Sequence, residues 1–212
     1  MQDGLTDIAP AELVAALSAP FHPGEALDLT GRRVTGPVDL SGRDLCGFDM
    51  TGSRFEGAVT AKDTVFRGLT WFRDCQFAGA FTAVGALFGH DARFDGSVFA
   101  AELDLSRAEA RGTMVLDRVQ ANAPVWMDRM QILSSLSLAG ADFAATVSLE
   151  ETEAYGGLWA DRAQFGARVT ARGMEVHGRT WLKGVQMAPP APNAAPAASL
   201  ARQIRSYGYV WG

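Results

Sequence analysis

Large apolar residues recur along this chain at a spacing that suits neither a helix nor a strand. Between Leu27 and Gly57 it reads LDLTG, RRVTG, then after Pro37 VDLSG, RDLCG, FDMTG and SRFEG. Each unit is five residues long, with an apolar residue at its centre and glycine at its end. A helix repeats its apolar face about every 3.6 residues and a strand about every two. A five-residue repeat instead predicts a solenoid, in which no unit buries its own face and each coil is covered by the next.

Beyond Phe55 the unit stretches. Spacings of six and five alternate, so four units span 22 residues and a column should recur at that interval. Stepping by 22 from Phe55 meets Phe77, Phe99, Ala121, Phe143 and Phe165; from Ala61 it meets Ala83, Leu105, Met127, Leu149 and Ala171. The other two columns run Phe66, Phe88, Ala110, Ile132, Ala154, Val176 and Phe72, Phe94, Leu116, Leu138, Ala160, Leu182. Two residues before each of these stands a small or apolar residue, as in Ser53, Cys75, Ser97, Val119 or Val59, Phe81, Leu103, Val125. Charged residues make up 20% of the chain yet none enters these columns, so chance is a poor explanation. At each of four faces the pattern is inward, outward, inward, then a turn.

The units resemble those of the pentapeptide-repeat family, which wants a small residue, then Asp or Asn, then a central Leu or Phe, then a small polar residue. Val38, Asp39, Leu40, Ser41 and Gly42 fit well, as do Leu27 to Gly31 and Ala141 to Ala145. The close resemblance covers Leu27 to Gly57, and the looser 22-residue form continues to about Met187. It implies an all-β fold, a right-handed quadrilateral β-helix with four short faces per coil. Arg32 and Arg43 depart from the small residue expected first in the unit, and the six-residue spacings depart from a strict five.

Stacked coils lie about 4.8 Å apart, so about seven coils from Leu29 to Met187 predict a rod on the order of 35 Å long. Pairing between coils satisfies the sides of such a rod and leaves its ends open. Residues 1–26 are expected to supply an N-terminal cap: Ile8 to Ala19 carries Pro10 near a helix start, Leu13, Val14, Ala16 and Leu17 as an apolar side, and Pro20 and Pro23 as a stop. After the β-helix of residues 27–187 comes a Pro/Ala-rich stretch, 188–198, read as a stiff or disordered linker. The tail, 199–212, ends in Tyr207, Tyr209 and Trp211 and carries Arg202 and Arg205. It either folds back over the last coil or reaches a partner.

Composition fits one soluble domain of 212 residues with 48% hydrophobic content. The first basic residue is Arg32, so a positively charged signal-peptide start is not expected, and charges are too frequent for a transmembrane span. Cys46 and Cys75 fall in different column types, which argues against a planned disulfide and for a cytoplasmic protein. Phosphate-cradling loops, paired metal-ligating histidines and a serine elbow are missing. No enzyme, metal or cofactor is therefore expected, and His22, His90 and His177 read as plain surface histidines.

The outer surface holds the candidate chemistry. One outward column runs Val65, Leu87, Glu109, Gln131, Glu153, Glu175, with Glu150 and Glu151 beside it. Arg107, Arg129 and Arg172 stand in neighbouring columns, which predicts salt-bridge ladders rather than a bare negative stripe. A second column runs Trp71, Arg93, Val115, Ser137, Trp159, Trp181. Exposed tryptophans cost solubility and are enriched at interfaces, so Trp71, Trp159 and Trp181 are candidate contact residues unless the aromatic tail covers them. Asp95 and Asp117 are expected to stack one coil apart, with Arg73, Arg93 and Arg118 close enough to neutralise them.

Two readings of function follow. One is a non-catalytic scaffold that presents a rigid surface to a protein partner, or to a second copy through an end or the tryptophan column. The other comes from the family resemblance, which implies that some members bind and protect DNA gyrase by mimicking duplex DNA. Mimicry requires a near-continuous negative field. Between Leu27 and Met187 the chain has 20 acidic and 17 basic residues, a balance of only −3. The absence of a basic stripe also argues against direct nucleic-acid binding.

Overall fold

Each repeat unit forms a strand of two or three residues followed by a corner, and four such strands complete one coil. The computed structural model describes residues 4–188 and 196–212. Its parallel β-solenoid has about eight turns of about 22 residues. Going round the coil, face I holds strands such as Arg54–Phe55 and Gln76–Phe77, and face II Val59–Thr60 and Phe81–Thr82. Face III holds Val65–Phe66 and Leu87–Phe88, and face IV Thr70–Trp71 and Ala92–Arg93. Among the described residues the four sheets have nine, seven, eight and nine strands in that order.

The 22-residue columns stack as expected. Phe55 pairs with Phe77 and Phe77 with Phe99; Val65 pairs with Leu87 and Leu87 with Glu109. The Phe55, Phe77 and Phe99 rings lie nearly parallel, 4.9 and 4.7 Å apart, and Phe66 and Phe88 repeat this at 4.7 Å on face III. Ala121 interrupts the face I column; Met127 and Met130 of the same coil are fully buried, and methionine fills irregular gaps well. Small polar residues are tolerated inside because the walls satisfy them: Ser97 Oγ donates to the Phe72 carbonyl at 2.5 Å and accepts from Cys75 N–H at 2.9 Å.

Corners come in two kinds. The turns from II to III and from IV to I place one residue in the left-handed region, glycine at Gly42, Gly85 and Gly96 but a charged residue at Asp63, Asp74, Arg107 and Arg118. At the turn from III to IV glycine serves another purpose: a Cβ on Gly178 would overlap the carbonyl of Gly156 one coil below.

Both ends of the rod exceed the sequence expectation of about seven coils. Thr6–Ile8 is a strand that pairs with Arg32–Val34, so the N-terminal helix, α1 (Pro10–Leu17), starts later than Ile8. It buries Leu13 and Leu17 over the ends of faces II and III, where the Leu17 carbonyl accepts from Cys46 N–H at 2.9 Å. At the other end α2 (Pro196–Ala201) occupies part of the stretch read as a linker, whose residues 189–195 lie outside the described residues. The tail then joins the ladder: Ile204–Ser206 pairs with Met174–Val176, and Val210–Trp211 with Thr180–Trp181. Gln203 takes the place of a strand on face II, its Oε1 accepting from Ala171 N–H at 3.0 Å.

Candidate functional site

The outward positions of the last coils bring aromatic side chains together in two ladders. On face IV, Trp159 pairs in register with Trp181 and Trp181 with Trp211, with ring centroids 6.0 and 5.0 Å apart. Tyr209 lies 5.7 Å from Trp211, and the Arg179 guanidinium sits 6.0 Å over the Trp211 ring. At the neighbouring corner, Tyr155, His177 and Tyr207 stack at 4.7 Å with interplanar angles of 6° and 11°. Leu133, one coil below Tyr155, continues this ridge.

The large apolar side chains most exposed among the described residues are Leu133, Tyr155, Tyr207, Tyr209, Val210 and Trp211. All lie on this corner or on the adjoining part of face IV. Concentration in one region distinguishes this surface from the scattered apolar residues any soluble protein shows. Tyr209, at 76% exposure, is its most open member.

Trp71 is not part of it. Arg93, Val115 and Ser137 separate Trp71 from Trp159 along the column, and its indole instead packs under the Arg73 guanidinium at 5.9 Å. The tail meets Trp181 through Trp211, so covering by the tail and aromatic exposure coexist: the tail buries one ring face and presents its own. Sequence reasoning missed Leu133, Tyr155 and His177. The 22-residue step does link Leu133 to Tyr155 and Tyr155 to His177, but the step from His177 to Tyr207 is 30 residues, which hid the ladder.

The carboxylates proposed from the sequence are engaged by cations or hydroxyls. Glu150 pairs with Arg172 at 2.8 Å and Glu151 with Arg129 at 2.7 Å, both between adjacent coils. Glu175 takes Arg205 at 3.0 Å and the Tyr207 hydroxyl at 3.3 Å. Glu153 accepts from the Tyr155 hydroxyl at 2.7 Å, which raises the tyrosine pKa above its ordinary value. The same bonding raises the pKa of Arg172 through Glu150 and of Arg205 through Glu175. A groove of about 600 Å³ beside face II holds Glu150 and Glu151 together with Asp104 and Asp128, whose carboxylates accept backbone N–H groups of Ser106 and Glu150. Among the described residues no group of three or more His, Cys, Asp or Glu side chains could hold a metal ion. Cys75 is buried with its thiol pKa pushed up to about 12 by desolvation, and both cysteines are free.

Short parallel strands on four faces, a core of stacked rings and a surface differentiated only by its outward side chains define a repeat-built β-solenoid scaffold. The model of the family described as pentapeptide repeats, in nine copies, matches residues 61–109. The chain thus carries pentapeptide repeats over residues 61–109, and the same four-sided coil continues on both sides of them. No curated protein matches it.

Proposed function

We propose that this protein is a non-catalytic scaffold whose aromatic corner, Tyr155, His177, Tyr207, Tyr209, Trp181 and Trp211, docks onto a partner protein. The β-solenoid of pentapeptide-repeat proteins is in general non-enzymatic, which supports the first half of that statement. The second half rests on the gathering of exposed aromatics on one rigid edge. Tyrosine, tryptophan and arginine are the residues enriched at interface hot spots, and all three meet here, with Arg179 and Arg205 at the rim. Stacking covers the inner ring faces of Tyr155, His177 and Tyr207, while Tyr209, tilted at 44° to Trp211, stays open to a partner. Rings locked by stacking lose little rotamer freedom on binding.

The ion pairs at Glu150, Glu151 and Glu175 break up the negative field and so favour this reading over mimicry of DNA toward gyrase. No helix among the described residues is long and apolar enough to cross a membrane, and two free thiols suit a reducing cytoplasm.

The test compares wild type with Tyr155→Ser/Tyr207→Ser and with Trp159→Ser/Trp181→Ser. Sedimentation reads self-association, and affinity capture from the host followed by rebinding of the purified protein reads a heterologous partner. The reading holds if one of these associations is lost in the variants while far-UV circular dichroism is retained. Equal association in all three proteins would sink it, and inhibition of gyrase supercoiling that survives both variants would promote the DNA mimic.

A further inference from the structure

Corner aspartates in this solenoid share a routine role. Asp28, Asp39, Asp49 and Asp104 accept the backbone N–H two residues on, at 2.8 to 3.1 Å. Asp91, Asp117 and Asp128 accept an N–H from the coil above, that of Thr113, Ala139 and Glu150. Asp95 does neither. Its side chain is only 3% exposed, and both oxygens face arginine: Oδ1 accepts from Arg93 Nε at 2.9 Å and Oδ2 from Arg73 Nε at 3.3 Å. Arg118 Nη2 lies 3.8 Å from the same Oδ2. Three successive coils thus contribute one arginine each around a single buried carboxylate.

One guanidinium suffices to neutralise one buried carboxylate, so the other two are surplus. Arg73 and Arg93 approach through Nε, and their terminal nitrogens make no hydrogen bond among the described residues. These side chains are 37% exposed, and Arg118 is 68% exposed, so the free nitrogens are within reach of solvent. Packing of Arg73 on Trp71 restricts it further. Guanidinium forks held in place by a buried anchor have the donor geometry of an oxyanion site, with the cost of ordering them already met in the fold.

We propose that Arg73, Arg93 and Arg118, positioned by Asp95 at the corner between faces IV and I, bind a tetrahedral oxyanion, phosphate being the biological one. The site lies three coils from the aromatic corner and stands independently of it. Two further carboxylates are near. Asp117 is committed to Ser137 Oγ at 2.5 Å and Ala139 N–H at 3.0 Å, whereas Asp74, its side chain lying against Gly96, has no ion pair among the described residues and opposes the anion.

The experiment follows the arginine Nε–H signals by nitrogen-edited NMR while inorganic phosphate, and separately a phosphoserine peptide, is titrated at constant ionic strength against chloride. Arg73 and Arg93 signals should shift saturably with phosphate and not with chloride. Tighter binding of the peptide would assign the site to a phosphorylated partner, and equal binding to the free ion. Arg93→Gln should weaken binding roughly tenfold or more, and Asp74→Asn should tighten it. Asp95→Asn separates a positioned site from a diffuse basic patch: it adds positive charge, yet should weaken phosphate binding because the anchor is lost. Unsaturable shifts, phosphate affinity unchanged by Arg93→Gln, or tighter binding in a folded Asp95→Asn variant would each overturn the proposal.

Discussion

Replacing Phe77 with alanine tests the packing on which every surface position depends. Phe77 is 1% exposed, lies between Phe55 and Phe99 in a near-parallel stack, and meets Phe72 and Phe81 edge-on at 5.8 and 5.2 Å. Deleting a buried phenyl ring costs about 3–5 kcal/mol, depending on how far the surroundings collapse. Collapse is hindered here, since Ala78 N–H bonds to the Phe55 carbonyl and Ala100 N–H to the Phe77 carbonyl, each at 2.9 Å, and hold the coils apart. The upper part of the range is therefore expected. At a urea m-value of roughly 2 kcal/mol/M, a 4 kcal/mol loss lowers the midpoint by about 2 M. The control is Gln76→Ala, one residue away on the outer side of the same strand, which should change stability by no more than about 0.5 kcal/mol. Urea unfolding followed by far-UV circular dichroism reads both. A loss below about 1 kcal/mol for Phe77→Ala, or an equal loss for Gln76→Ala, would refute the alternation of inward and outward residues and with it the surface map. A double-mutant cycle with Phe99→Ala should return a coupling of roughly 0.5–1.5 kcal/mol for the stacked pair.

Two further outcomes follow from local geometry. Gly178→Ala introduces a Cβ into the Gly156 carbonyl without any left-handed φ to blame, so it should cost about 1–3 kcal/mol by overpacking; a thermal midpoint equal to wild type would contradict that corner geometry. Cys75 should resist a thiol reagent in the native protein at pH 8 and react on unfolding. Its folded pKa of about 12 stands above the ordinary 9.0, so the folded state holds its proton longer, and the thiol's contribution to stability is present below about pH 9 and lost as pH rises toward 12. A Cys75→Ser variant should flatten that part of the stability profile relative to wild type.

The interior was readable because its period is local. Phe55, Phe77 and Phe99 announce their column by spacing alone, and the arginines one coil from Glu150 and Glu151 announced ion-pair ladders that the structure contains. The extra strands at the two ends were not readable. Thr6–Ile8 carries no repeat signature, and the tail strands re-enter the ladder 30 residues after their partners, as Glu175 with Arg205 and Trp181 with Trp211 show.

Coil length and the inward columns were thus settled by residue order, since a unit too short to bury its own apolar centre must be covered by the next one. Which outward side chains meet was settled only in three dimensions. His177 became the middle of an aromatic stack because the tail lays Tyr207 on it, and Asp95 became an anchor for arginines because three coils converge on one corner. Such contacts depend on how side chains lean across a corner and where a non-repeating segment returns to the rod, and neither leaves a period in the chain.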